Sequence, residues 1–165
     1  MAVKDRKPRK IGSARQPLLP IADVRAYIRE KAAVIAPGDV EALVARSEEL
    51  LERAAGEDDP HPRLSRQAAL ALRLLADHSE GSAPQIPYFT VSVLAMALFY
   101  FLDQADAIPD SIPVVGTSDD ALVMELAFEM GAAGIRRYCD WKDLSTEGLL
   151  PKPKSQALRR PVKRK

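Results

Sequence analysis

A stretch of 17 residues without a charge, 86–102, constrains the fold of this chain more than any other feature. At 1.5 Å per residue such a helix is about 26 Å long, slightly shorter than the hydrocarbon core of a bilayer, about 30 Å. It is therefore either a central buried helix or a short helix inserted in a membrane. The next apolar segment carries a polar stripe of Glu125, Glu129 and Arg136, and unpaired carboxylates are costly in lipid. We therefore favour a soluble bundle with the 86–102 helix at its centre.

Composition agrees with an all-α fold. Of the 165 residues, 47% are apolar and only 5% are aromatic, and Ala and Leu dominate, which favours helices over sheets. A single cysteine and two histidines exclude a disulfide framework and any Cys-rich or His-rich metal site. We expect a small bundle of about five helices.

Three amphipathic helices are predicted in an N-terminal segment, 17–80. The first spans about 20–36, and the second follows Pro37 and Gly38, with Asp39 as its N-cap. The buried face of the third is expected to comprise Leu64, Ala68, Ala71, Leu72 and Leu75. A break at Gly81 and Pro84 separates these helices from the second part of the chain, 86–142, which we predict to be a helical hairpin of 86–103 and 118–141. Trp141 is expected to pack at the end of the last helix, or else to anchor the protein at a membrane interface.

The two ends of the chain are basic, and the middle is acidic. Residues 1–16 carry a charge of +5 and residues 151–165 carry +7. Because the whole chain has a formal charge of +1, the 134 residues between them carry −11. We predict disordered tails at 1–16 and 143–165, which favour polyanions such as an anionic membrane surface or, less strongly, nucleic acid. The first 16 residues have no apolar stretch after the basic ones, so we expect a cytoplasmic or membrane-associated protein and not a secreted one.

The loop between the two apolar helices contains a dense motif of aspartate, proline and glycine. Its positions are Asp103, Asp106, Ile108, Pro109, Asp110, Ile112, Pro113, Gly116, Asp119 and Asp120. Pro109 and Pro113 stop the preceding helix, and Gly116 permits a positive φ before the next one. Asp119 and Asp120 fall at a helix N-terminus, where capping and the helix dipole explain them.

This motif resembles the YkvA-like family, a bacterial domain of unknown function, over about residues 86–142. The Ile108-Pro109-Asp110, Ile112-Pro113 and Asp119-Asp120 positions match the family pattern in order and spacing. The chain departs from the pattern at the Ser-Pro pair before the first aspartate and at Ala107, where the family usually has Leu. The resemblance implies a small helical protein in a membrane setting, with no established enzymatic activity.

Two chemical interpretations of the aspartates stay open. Asp103, Asp106 and Asp110 lie near a helix C-terminus, where negative charge is unfavourable, so a cation, an Arg or Lys, or backbone N–H groups should compensate them. Alternatively, Asp106, Asp110, Asp119 and Asp120 could hold Mg²⁺ or Ca²⁺, which take oxygen ligands, although their spacing matches no EF-hand loop.

The sequence contains no Gly-rich phosphate loop, HExxH or GxSxG motif, so no catalytic residue and no cofactor is predicted. The leading hypothesis is a non-catalytic helical scaffold or interaction protein with an unknown protein partner, peripheral or integral at a bacterial membrane. The alternatives are a metal-dependent module or enzyme built on the aspartates, and a non-specific nucleic-acid binder that acts through the basic tails.

Overall fold

The computed structural model describes residues 21–56, 62–83, 86–102 and 118–151, and within them it contains seven helices and no strand. The all-α prediction is confirmed. The helices are α1 (Ile21–Ala32), α2 (Pro37–Ala45), α3 (Ser47–Ala55), α4 (Pro62–Ser79), α5 (Tyr88–Leu102), α6 (Ser118–Met130) and α7 (Ala132–Lys142).

The described residues form more helices than the expected five because two predicted helices each break once. The second breaks at Arg46, whose backbone leaves helical values while Ser47 donates a hydrogen bond to the Val44 carbonyl at 2.5 Å. The last breaks at Gly131, between α6 and α7. Glycine has low helix propensity, and a Cβ at Gly131 would lie 3.3 Å from side-chain carbons of both Thr90 and Val93. The break therefore lets α7 approach α5 closely.

Helix α5 is the centre of the bundle, as predicted. It contacts all six other helices, and most of its residues are buried. In the part of the chain that the structure describes, no helix combines the length and the apolar character needed to cross a bilayer.

The N-terminal helices pack their apolar faces against α5 and against one another. The predicted face of α4 is confirmed, since Leu64, Ala68, Ala71, Leu72 and Leu75 are all buried. Helix α1 buries Ile28 and Ala32, whereas Val24 and Ile35 are only partly covered. Asp39 is not the N-cap of α2. It lies at the third position, and its carboxylate accepts a hydrogen bond from the Ala36 amide at 2.8 Å.

Polar residues on α6 join the two parts of the chain. Glu125 accepts hydrogen bonds from Arg63 at 2.6 Å and from Gln67 at 3.1 Å, and Glu129 pairs with Arg25 of α1. The polar stripe seen in the sequence is thus used for contacts between helices. Glu125 is half-buried, so its pairing removes the cost of an unmatched carboxylate, whereas Glu129 is exposed and its pair contributes little.

Residues 143–151 pack on the bundle, so the predicted start of the C-terminal tail at 143 is too early. Asp143 adopts a left-handed conformation with φ of 56°, which ends α7 and turns the chain back. Leu149 and Leu150 are buried, and the carbonyl of Leu149 accepts a hydrogen bond from Gln67 at 3.2 Å. Burial of these two leucines, which end an otherwise polar segment, holds residues 143–151 against the bundle. The basic residues from Lys152 onward, like residues 1–20, lie outside the described ranges.

Candidate functional site

Most of the predicted motif lies outside the described residues. This holds for Asp103, Asp106, Ile108, Pro109, Asp110, Ile112, Pro113 and Gly116. Asp119 and Asp120 fall in the first turn of α6, as the sequence predicts, and Asp120 is buried. Among the described residues, no three His, Cys, Asp or Glu side chains come together in a group that could hold a metal ion. Because Asp106 and Asp110 are not among those residues, the metal site stays a prediction.

A cation does lie where the aspartate motif begins. Nη1 of Arg53 donates a hydrogen bond to the Leu102 carbonyl at 3.0 Å, and the guanidinium lies 5.9 Å from the ring centre of Phe101. Leu102 is the last residue of α5, so its carbonyl has no partner within the helix. Arg53 therefore supplies positive charge at the helix end that directly precedes Asp103, and compensation of the aspartates themselves stays a prediction.

The opposite end of the bundle exposes apolar side chains. Five large apolar or aromatic side chains are exposed among the described residues, and four of them lie where α1, α4 and α7 end and α5 begins. They are Val34, Tyr88, Phe89 and Trp141, with exposed fractions of 76%, 42%, 47% and 44%. We call these four residues the aromatic end. The fifth, Leu51, lies on α3.

Contacts between the helix termini hold the aromatic end together. The Tyr88 hydroxyl donates a hydrogen bond to the Ile35 carbonyl at 3.0 Å, next to Val34. The ring of Tyr88 lies 6.1 Å from that of His78, near the end of α4. Nζ of Lys142 lies 4.8 Å from the ring centre of Trp141.

Asp77 fixes the end of α7 against the end of α4. Its carboxylate accepts a hydrogen bond from the Tyr138 hydroxyl at 2.5 Å and forms an ion pair with Nζ of Lys142 at 2.9 Å; we call these three residues the Asp77 cluster. Burial raises the pKa of Asp77, but the hydrogen bonds from Tyr138 and Lys142 and the positive charge of Lys142 outweigh it and lower that pKa overall. Burial, followed by the hydrogen bond to Asp77 and its negative charge, raises the pKa of Tyr138. The lowered pKa of Asp77 and the raised pKa of Tyr138 keep a carboxylate hydrogen-bonded to a neutral phenol at neutral pH, and this contact fixes the part of α7 that carries Trp141.

A groove opens beside the aromatic end, between α1 and α5. Its volume is about 250 Å³. Its lining is formed by Tyr27, Lys31, Val34 and Ile35 on one side and by Met96, Phe99 and Tyr100 on the other. Val34 belongs to both, so the groove adjoins the aromatic end at this residue.

Sequence reasoning missed this surface, although weak signals were present. Trp141 packs partly on Tyr138 at the end of α7, with ring centres 6.0 Å apart, yet stays 44% exposed, and anchoring at a membrane interface stays a prediction. Tyr88 and Phe89 look like ordinary members of an apolar helix in the sequence. Their exposure follows from their position in the first turn of α5, at the end of the bundle, where neighbouring residues cover them only in part.

The single cysteine is buried in the bundle. Cys139 is fully buried, and burial, followed by the negative charge of Asp140, raises the pKa of its thiol. A thiol of this kind stays protonated at neutral pH and acts as a small apolar side chain.

The fold and the site define a small helical bundle with one exposed apolar end and a polar end that leads into the aspartate motif. Residues 90–126 match a protein family described as "Protein of unknown function (DUF1232)". The match begins in α5, includes the motif and ends in α6, so it covers about a fifth of the chain and lies within the region of the predicted resemblance. No curated protein and no solved structure matches the chain.

Proposed function

We propose that this chain is a non-catalytic interaction protein that attaches peripherally to an anionic membrane surface, at the inner face of a bacterial membrane. The observation that carries the proposal is the aromatic end. Tyr, Trp and Phe side chains suit the membrane interface, and clustered exposed apolar side chains mark interaction surfaces. The resemblance to the YkvA-like family implies a membrane setting, and we include membership of that family in the proposal.

The distribution of charge supports an electrostatic contribution from the terminal residues. The sequence places +5 in residues 1–16 and +7 in residues 151–165 around an acidic body. Each Lys or Arg near an anionic surface contributes about 1 kcal/mol. In the aromatic end, Nζ of Lys142 lies 4.8 Å from the Trp141 ring and is also paired with Asp77, so we assign apolar contact to this end and charge to the terminal residues. Attachment would thus have a salt-sensitive part from the termini and a salt-resistant part from the aromatic end.

Co-sedimentation with vesicles tests both parts. We expect the full chain to bind vesicles with a high phosphatidylglycerol content and not pure phosphatidylcholine, and deletion of 152–165 to weaken binding most at low salt. Phe89→Glu should weaken binding at every salt concentration, because it places a charge in the aromatic end. Leu51→Glu is the matched control, since it makes the same change at an exposed apolar residue on α3.

The outcome also decides between membrane and nucleic acid. Equal loss of vesicle binding in Phe89→Glu and Leu51→Glu would contradict a role for the aromatic end. DNA binding that persists at physiological salt, without any vesicle binding, would favour the nucleic-acid alternative. Weak binding through phosphates alone would already be lost at this salt concentration, because it weakens steeply with salt.

A further inference from the structure

The groove between α1 and α5 has the size of a short hydrocarbon chain. Its volume of about 250 Å³ corresponds to about eight groups of the size of a water molecule, which takes about 30 Å³. A methylene group is similar in size. Met96, Phe99 and Ile35 give the groove an apolar lining, so it suits an alkyl chain better than a polar metabolite.

One cation lies in this apolar lining. Nζ of Lys31 lies 5.7 Å from the ring centre of Tyr27, which also lines the groove. Within the described residues, no carboxylate forms an ion pair with Lys31. Burial, followed by the negative charge of Glu30, raises the pKa of Tyr27, so its hydroxyl stays a hydrogen-bond donor at neutral pH. An ammonium and a phenol beside an apolar groove are complementary to an anion that carries an alkyl chain.

Charge argues against the chain's own ends as the occupant. Residues 1–16 and 151–165 are both strongly cationic, so Lys31 would repel them. Lys31 instead favours an occupant that brings a negative charge and an apolar chain.

We propose that the groove binds a medium-chain fatty acid of about eight carbons, with its carboxylate at Lys31 and Tyr27 and its alkyl chain along Met96 and Phe99. The ligand enters from solution, so this binding does not depend on the proposed attachment to a membrane.

Calorimetric titration of the full chain with octanoate tests the proposal. We expect saturable binding with a Kd on the order of 0.1–1 mM for a ligand of this size. Affinity should rise about fourfold for each added methylene from hexanoate to octanoate, and it should level off once the groove is full. Octanol should bind about tenfold more weakly than octanoate, because it lacks the charge.

Substitutions on α1 provide the matched comparison. Lys31→Gln should weaken octanoate binding about tenfold and leave octanol binding almost unchanged. Arg29→Gln removes the same charge from an exposed position on the same helix that does not line the groove, and it should change octanoate binding less than twofold. Both positions are exposed, so the fold should be retained, and thermal melts check this.

Three results would overturn the proposal. The first is the absence of saturable octanoate binding, and the second is an equal effect of Lys31→Gln and Arg29→Gln. The third is a dimer in sedimentation that Val34→Glu converts to a monomer, since a second copy would then cover the groove. Failure of vesicle binding would leave all of these titrations unchanged, so the two proposals fail independently.

Discussion

The two ends of the bundle use the same central helix in opposite ways. At its first turn, α5 exposes Tyr88 and Phe89. The polar groups nearby form contacts that fix the helix termini, above all the hydrogen bond and the ion pair of the Asp77 cluster. At its last turn, α5 buries Phe101 and Leu102 and meets Arg53 through a backbone carbonyl. One end therefore presents apolar surface on a rigid frame. The other leads into the aspartate and proline motif, within the residues that match the family.

The residues that match the family and the residues of the aromatic end lie in different parts of the sequence. The matched residues 90–126 exclude Val34, Tyr88, Phe89 and Trp141. The aromatic end is built by helix termini that are far apart in the chain, so a short local pattern does not capture it.

The largest expected effect comes from Gly134→Ala, which disturbs the frame of the aromatic end. A Cβ at Gly134 would lie 2.2 Å from Oγ1 of Thr90 and within 3 Å of two further Thr90 atoms. The helices α5 and α7 must then separate, and overpacking of this kind costs about 1–3 kcal/mol. Chemical denaturation should show the loss in the free energy of unfolding.

Gly38→Ala is the control for that substitution. Gly38 lies near the start of α2, and a Cβ at this position would have no neighbouring atom within 4 Å, so Ala should raise stability by up to about 1 kcal/mol through helix propensity. Thr90→Ala combined with Gly134→Ala should recover part of the loss, because it removes two of the three clashing atoms. Equal stability of Gly134→Ala and Gly38→Ala would show that α5 and α7 do not meet so closely.

Asp77→Asn should have the next largest effect, because it removes the charge that Tyr138 and Lys142 share. Hydrogen bonds to a charged group contribute about 1.5–3 kcal/mol, and Asn retains part of the interaction, so we expect a loss of about 1–2 kcal/mol. The folded-state pKa of Asp77 is lowered, so its contribution is present above the ordinary aspartate range, about pH 4, and is lost as pH falls through the folded value. The folded-state pKa of Tyr138 is raised, so its contribution is present below about pH 10 and is lost as pH rises further.

The free energy of unfolding, measured from pH 3 to pH 11, checks the direction of both pH effects. The wild-type chain should lose stability at both extremes relative to Asp77→Asn. Tyr138→Phe should remove the alkaline part and should also reduce the acid part, because it deletes one of the hydrogen bonds that lower the pKa of Asp77. A constant difference between wild type and Asp77→Asn across this range would mean that the cluster does not titrate as its geometry requires.

Smaller effects are expected at the other end of the bundle, where the motif follows α5. Pro109 and Pro113 lie outside the described residues, and the sequence predicts that they restrict the turn. Their replacement by Ala should lower the free energy of unfolding by about 0.4–1 kcal/mol per proline, since the unfolded chain gains conformational freedom. Thermal melts of the double variant measure this, and an unchanged or higher Tm would contradict the proposed role.

No thermal shift is expected with divalent cations, the smallest effect in the series. If helix capping and turn hydrogen bonds explain the aspartates, Mg²⁺ and Ca²⁺ should leave the Tm unchanged, whereas a bound cation would raise it by mass action. A saturable rise that Asp106→Asn and Asp110→Asn abolish would revive the metal-dependent alternative and would give the motif end a chemical function.

The sequence predicts those parts of the fold that depend on local periodicity and misses those that depend on distant partners. The central position of α5 and the buried face of α4 follow from runs of apolar residues, and both are confirmed. The break at Gly131 depends on how close α7 comes to Thr90, which no local pattern records. The sequence also places Leu149 and Leu150 in a tail because lysines and prolines follow them, yet Gln67 on α4 provides the contact that holds them.

The same distinction applies to the candidate site. Asp77 and Tyr138 are 61 positions apart, so their hydrogen bond could not be predicted from spacing. The charge asymmetry of the ends, in contrast, is visible in the sequence alone. That asymmetry by itself predicts only an affinity for polyanions, and the aromatic end is the feature on which we base the proposal of a membrane.

Fluorescence of Trp141 tests the central claim most directly, because it is the only tryptophan in the chain and belongs to the aromatic end. If this end contacts the membrane, anionic vesicles should shift the Trp141 emission to shorter wavelength, and lipids brominated on the acyl chain should quench it. Phe89→Glu should reduce both changes, and Leu51→Glu should not. Vesicle binding that leaves the Trp141 emission unchanged and unquenched would contradict the claim, since the protein would then attach through another surface.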